Sequence, residues 1–93
     1  MKSADVPIVN PVVVLREEAD DWAILFNPDT NQAVGVNPTG VLIWKLLDGR
    51  RNLDEVDREV RQRLSNVPDD SAGEILRFAG SLVESGFAAV EGT

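Results

Sequence analysis

Residues 36–49 read VNPTGVLIWKLLDG and change from strand to helix in one step. Asn37 is placed to act as an N-cap, because its side-chain oxygen can accept a hydrogen bond from an early helix N–H. Pro38 then takes the first helical position, where a missing N–H has no effect on the helix. The apolar helix stops at Gly49, a residue that tolerates the left-handed conformation of a helix C-terminus. The stretch therefore predicts a boundary between a β-rich first part and a helical second part.

Upstream of this boundary the pattern is typical of a three-stranded antiparallel meander. The β-branched run at residues 11–18 predicts the first strand. The alternation of Trp22, Ile24 and Phe26 predicts a second strand with these three side chains on one face. Residues 32–36 form a short third strand. Trp22 begins its strand and fits a core position and an interface equally well.

Downstream of the boundary the sequence predicts three helices. The first spans residues 38–48, and the second spans residues 53–64 after an Asn52 cap, with one narrow apolar stripe. The third begins at Asp69, Asp70 and Ser71, which offer caps and acidic charge, and it ends at Gly86.

Three helices beside a small sheet indicate an α+β, winged-helix-like domain, with a three-stranded antiparallel sheet followed by three helices. Residues 1–10 begin polar and are expected to be a flexible N-terminal segment ahead of a domain at residues 11–90. Residues 87–90 read as a terminal extended piece that pairs with the sheet or packs on it. This fold occurs in DNA-binding proteins and in protein–protein adaptors, so it does not decide the function.

The composition excludes most enzyme chemistry. The 93 residues include no His, Cys or Tyr, so the commonest general base, thiol nucleophiles and the usual transition-metal ligands are missing. We therefore expect no enzyme activity, no catalytic residues, no metal site and no cofactor. No apolar run approaches the ~20 residues of a membrane span. The N-terminus also lacks the apolar core of a secretory signal, so a cytoplasmic protein without a membrane partner is expected.

The charge argues against a nucleic-acid partner. The net charge is −7, whereas phosphate binding needs clustered Lys and Arg. Most basic residues lie between Lys45 and Arg63, interleaved with acids, which favours a solvated helix face with ion pairs along it. This Arg-rich stretch nevertheless supports an alternative function, a winged-helix DNA-binding regulator, which must show salt-dependent binding to duplex DNA.

The third strand, residues 32–36, lies at the end of the meander, so one of its edges can be unpaired. Proteins that bind extended peptides often let the ligand add to such an edge as a further strand. Two alternatives stay open beside peptide binding. The C-terminal segment can cover the edge, or a second copy of the chain can pair with it in a homodimer.

Residues 37–49 resemble the N-P-T-(A/G)-x-x-I/L-W-x-L-L-D-G signature of PqqD-like proteins. Residues 51–56 and 83–87 resemble two further motifs of that family in the same order, with Asn52 in place of the usual Thr. These proteins are also called RiPP recognition elements. The resemblance implies a non-catalytic peptide chaperone. It would bind the leader of a ribosomally synthesised precursor peptide and present it to a modifying enzyme, such as a radical SAM protein, a cyclase or a protease.

The resemblance also implies where the leader binds. The leader would add as a strand along the third strand and lie in a groove against the third helix. The peptide-binding residues carried over in this way are Gln32, Ala33, Val34, Gly35, Val36, Glu74, Arg77, Phe78, Ser81 and Ser85. Phe78 lies partly off the main apolar stripe of its helix, so it fits either an exposed position or a wide core face.

Overall fold

The structure is a computed structural model that describes residues 1–90, and within them it contains five strands, three α-helices and one short 3-10 helix. In chain order the elements are β1 (Pro7–Val9), β2 (Val14–Glu17), the 3-10 helix (Ala19–Asp21), β3 (Ala23–Asn27), β4 (Gln32–Val36), α1 (Pro38–Leu46), α2 (Leu53–Arg63), α3 (Ser71–Glu84) and β5 (Ala88–Val90). The antiparallel sheet β2-β3-β4 followed by three helices confirms the expected α+β class. None of the helices within residues 1–90 has both the length and the apolarity to cross a bilayer.

The predicted change from strand to helix occurs at Asn37. Its side-chain Oδ1 accepts a hydrogen bond from the Gly40 N–H at 2.7 Å, and Pro38 begins α1. Beyond the helix, Gly49 has a φ of 77°, the left-handed conformation that glycine adopts without strain. The helix between these signals contributes four large side chains to the core, Val41, Ile43, Trp44 and Leu46.

The second helix is fixed by a capping box and by ion pairs on its exposed face. The Glu55 N–H donates to Asn52 Oδ1 at 2.8 Å, and the Asn52 N–H donates to Glu55 Oε1 at 3.0 Å. Along the helix, Arg61 pairs with Asp57 at 3.1 Å and Arg63 pairs with Glu59 at 3.2 Å. Two of the three arginines of α2, Arg61 and Arg63, thus form the ion pairs along the helix that the charge pattern predicts.

The N-terminal segment differs from the expectation. β1 pairs antiparallel with β5, and the backbone on its other side is also bonded. There the Val9 N–H donates to the Leu47 carbonyl, and the Gly49 N–H donates to the Pro7 carbonyl, both at 3.1 Å. The expectation of a flexible segment over residues 1–10 is therefore wrong for β1, because this strand is hydrogen-bonded along both edges. The domain boundary after residue 10 stays a prediction.

The two faces of the three-stranded sheet differ in burial. On β3 the side chains of Ala23 and Leu25 are buried against the helices, whereas Ile24 and Phe26 lie on the opposite, outer face. Trp22 shares that outer face and is 51% exposed, so it is not a core residue. The core fills the space between the inner face and the helices, and its largest members outside α1 include Leu25, Leu47, Leu53, Val56, Val60, Ile75, Leu82 and Phe87.

Candidate functional site

The strand β4 is an edge of its sheet. Within residues 1–90 it pairs with β3 on one side and with no other strand, and four of its five residues are exposed. The C-terminal strand β5 pairs with β1 instead. The alternative in which the C-terminal segment covers the edge of β4 is therefore wrong. The free backbone groups of an edge strand are a template for pairing with another chain.

A groove separates β4 from α3, and it has two concave parts. The first concavity, of about 460 Å³, lies between Gln32–Gly35 and the C-terminal half of α3, with Leu82 and Phe87 beneath it. The second concavity, of about 420 Å³, lies at the other end of β4, where the start of α1 meets the start of α3 and the α2–α3 connection. The two parts meet at Gly35, so together they follow the whole length of β4.

The strand and the helix run in opposite directions along this groove. Gln32, at the start of β4, borders the same concavity as Ser85, which follows α3. Val36, at the end of β4, borders the same concavity as Glu74, in the first turn of α3. An extended chain added to the edge of β4 would therefore pass the last turn of α3 at one end and its first turn at the other.

The groove is mainly apolar. Val34 pairs with Leu25, so its side chain lies on the helix side of the sheet, yet it is 44% exposed. Phe78 is half-buried and packs against the core. No charged residue lies among the described residues that line the first concavity, and Glu74 is the one that lines the second. Such a surface suits apolar side chains, and the described residues that line it include no pair of acidic and basic groups for acid–base chemistry.

Nine of the ten residues proposed for peptide binding line this groove. The exception is Arg77, whose Nη2 donates to Asp70 Oδ2 at 3.3 Å and which borders neither concavity. Arg77 shares the exposed side of α3, and its helical position alone could not show that its guanidinium turns towards Asp70. Binding by the other nine stays a prediction.

One wall of the groove was not foreseen from the sequence. The α2–α3 connection, residues 64–68, closes the second concavity. This connection is held in place because the Ser71 hydroxyl donates to Asp57 of α2, and the Arg61 guanidinium donates to the Asp69 carbonyl at 3.2 Å. The apolar residues Leu64 and Val67 on either side of a polar break were the signal in the sequence that this loop packs inward.

Outside the groove, the carboxyl of Asp48 has a lowered pKa. At the α1–α2 connection, the backbone N–H of Arg50 donates to Asp48 Oδ1 at 2.9 Å and lowers the pKa of that carboxyl. Burial opposes this effect, and the Arg51 guanidinium, 2.8 Å from Asp48 Oδ2, lowers the pKa by a smaller amount than burial raises it. No group of three or more acidic side chains within residues 1–90 is arranged to hold a metal ion. Asp48 therefore contributes to the structure of the connection.

Comparison with known proteins gives one family and one similar structure. The family model of "Coenzyme PQQ synthesis protein D (PqqD)" matches residues 23–88. The solved structure described as "TbiB1 in Complex with the TbiA(beta) Leader Peptide" superposes with a TM-score of 0.68 and 23% sequence identity, over 92% of this chain and 96% of that chain. No curated protein matches this chain. The structural likeness shows a shared fold. The family match extends from the first residue of β3 to the first residue of β5 and includes the whole groove, and so this chain belongs to the PqqD family.

Proposed function

We propose that this chain is a non-catalytic peptide chaperone. It binds the leader of a ribosomally synthesised precursor peptide by strand addition to β4 and presents that peptide to a modifying enzyme. The observation that carries the proposal is the free edge of β4 beside an apolar groove that runs its full length. An edge strand supplies main-chain hydrogen bonds, and a neighbouring groove takes side chains, which are the two requirements of peptide recognition by strand addition.

The dimensions of the site fit an extended peptide. The five residues of β4 span about 17 Å at the usual rise of a strand. In an added strand every second side chain points to the same face of the sheet, so alternate residues of the peptide would enter the two concavities. Main-chain bonds would give affinity largely independent of sequence, and the groove would give specificity.

The comparisons support the same function. The similar structure is that of a protein in complex with a leader peptide, and it shares the fold that carries the groove here. PqqD-family membership adds the expectation of a partner enzyme, which we propose to be a radical SAM protein, a cyclase or a protease. The complex would form in the cytoplasm, where a newly translated precursor is first available.

The groove favours binding over catalysis. Glu74 is the only ionised side chain among the described residues that line it, and a lone carboxylate lacks a second group for general acid–base work. The sequence offers no His or Cys to supply one. We therefore propose that the chemistry belongs to the partner enzyme.

The alternative of a DNA-binding regulator gains no support. Arg61 and Arg63 on α2 are paired with acids of the same helix, and the chain carries a net charge of −7. A surface that binds duplex phosphates would need free cations in a cluster.

The proposal is tested by titrating ¹⁵N-labelled protein with the leader half of any short precursor peptide found to be encoded next to this chain. We expect amide shifts concentrated in Gln32–Val36 and on the groove side of α3, with micromolar or tighter affinity. The core half of the same precursor is the matched control and is expected to cause no shifts there. An absence of shifts with the leader, or salt-dependent binding to duplex DNA through α2, would contradict the proposal.

A further inference from the structure

Glu74 differs from the other residues of the groove. It is exposed in the first turn of α3 and is the one ionised side chain among the described residues that line the second concavity. Within residues 1–90 its carboxylate has neither a hydrogen bond nor an ion pair. A free carboxylate at the end of an apolar concavity is a ready partner for a cation.

The neighbouring cations are already engaged elsewhere. Arg77 lies three residues further along α3, but its guanidinium contacts Asp70 at 3.3 Å. Arg61 is held by Asp57 at 3.1 Å and by the Asp69 carbonyl at 3.2 Å. These two guanidinium groups lie among four carboxylates around the start of α3, those of Asp57, Asp69, Asp70 and Glu74. Neither guanidinium pairs with Glu74, whose charge is left uncompensated.

The walls of this concavity suit a long side chain with a charged end. Val36, Ile43 and Phe78 offer apolar surface along its length, and Glu74 lies at its rim. Lys and Arg side chains have this character, because their apolar stems pack against such surface while the charged heads stay hydrated. Phe78 is also aromatic, and aromatic rings attract cations.

We propose that Glu74 selects a Lys or Arg side chain of the extended peptide that adds to β4, and that this side chain occupies the second concavity. The inference rests on the proposed function, since it requires a peptide along β4. It adds the chemical class of one peptide residue and places that residue at the Val36 end of the strand.

The test uses a phage-displayed library of linear 12-residue peptides, selected in parallel against the unaltered chain, Glu74→Gln and Glu84→Gln. Glu84 lies on the same helix, is exposed and borders neither concavity, so Glu84→Gln makes the same change of charge outside the groove. We expect peptides selected by the unaltered chain and by Glu84→Gln to share Lys or Arg at one position. A synthetic peptide from that set should bind Glu74→Gln about fivefold more weakly, and Glu74→Lys should select Asp or Glu at that position.

The outcomes separate this inference from the proposed function. Selected peptides that shift the amides of Gln32–Val36 but share no basic position would overturn the role of Glu74 and leave the peptide-binding function intact. Equal loss of affinity in Glu74→Gln and Glu84→Gln would do the same, because it would indicate a general effect of net charge. A library from which no peptide shifts those amides would overturn both.

Discussion

Gly35 of β4 and Phe78 of α3 are the two residues that border both concavities of the groove. A Cβ atom at Gly35 would meet no atom within 4 Å, so this point of the strand is open, and the half-buried ring of Phe78 lies across from it. The pair joins the two concavities into one groove, which is what an extended peptide longer than a few residues requires.

Loss of the Val34 side chain should weaken peptide binding without unfolding the protein. Val34 is 44% exposed on the helix side of the sheet, so Val34→Ser should change the free energy of unfolding by less than about 0.5 kcal/mol. Affinity for the leader peptide should fall about tenfold, or ~1.4 kcal/mol, as measured by calorimetry. The control is Val14→Ser, which removes a 54% exposed valine from the outer face of the same sheet. Equal losses of affinity in the two variants would contradict the location of the site.

Two helical glycines should respond to alanine in opposite directions. At Gly40 a Cβ would collide with the Val36 side chain, where α1 crosses β4, so Gly40→Ala should lower the free energy of unfolding by about 1–2 kcal/mol. At Gly80 the nearest atom to a Cβ is 3.9 Å away, so Gly80→Ala should stabilise α3 by about 0.5–1 kcal/mol. Urea unfolding measures both changes. A stabilising Gly40→Ala would show that the close packing of α1 on β4 is absent in solution.

The N-terminal strand should contribute to stability. Val9 packs against the core, whereas Ile8 on the other face of β1 is 47% exposed. Val9→Ser should therefore destabilise the protein by about 1 kcal/mol, and Ile8→Ser should have less effect, both followed by thermal unfolding. Deletion of residues 1–9 should lower the unfolding midpoint further, because it also removes the Ser3 carbonyl that accepts from the Leu53 N–H at 3.0 Å. An unchanged unfolding midpoint after the deletion would support the original expectation that residues 1–10 are a flexible N-terminal segment.

Asp48 should make stability depend on acid pH. Hydrogen bonds from Arg50 and Arg51 lower the pKa of its carboxyl in the folded state from the ordinary 3.8. Its stabilising contribution is therefore complete above the unfolded pKa and is lost as the pH falls through the lowered, folded pKa. The contribution should be below about 1 kcal/mol, since the Asp48 side chain is 36% exposed.

The variant Asp48→Asn tests this pH dependence. It should be less stable than the unaltered protein at about pH 6, and the difference should shrink towards about pH 2.5, as followed by urea unfolding at each pH. A difference that stays constant over this range would show that the Asp48 hydrogen bonds do not favour the charged carboxylate.

Strong local signals made much of the fold predictable from the sequence. The N-caps Asn37 and Asn52 begin helices where their side chains indicated, and Gln32–Val36 forms a strand with the expected bounds. The shared face of Trp22 and its neighbours was also correct, but alternation cannot say which face is buried. Packing against the helices decides that, and it leaves Trp22 exposed.

The pairing of the chain ends could not be predicted from local pattern. β1 and β5 have three residues each, too few for a periodic signal, and β1 begins with Pro7. Their contact joins residues about 80 apart in sequence, such as Val9 and Ala88, which only the tertiary fold brings together. The inward loop at residues 64–68 was missed for the same reason, because its position depends on the Ser71–Asp57 contact.

The most direct test of strand addition is amide hydrogen exchange of β4, measured by NMR with and without the precursor leader peptide. In an antiparallel pair the N–H groups of alternate residues point to the partner strand, and those between point away from it. In the free protein we expect alternate amides of Gln32–Val36 to exchange quickly, because they face the open edge. In the complex those same amides should become protected while the others change little. Protection gained only on α3, with every second β4 amide still exchanging quickly, would contradict binding by strand addition.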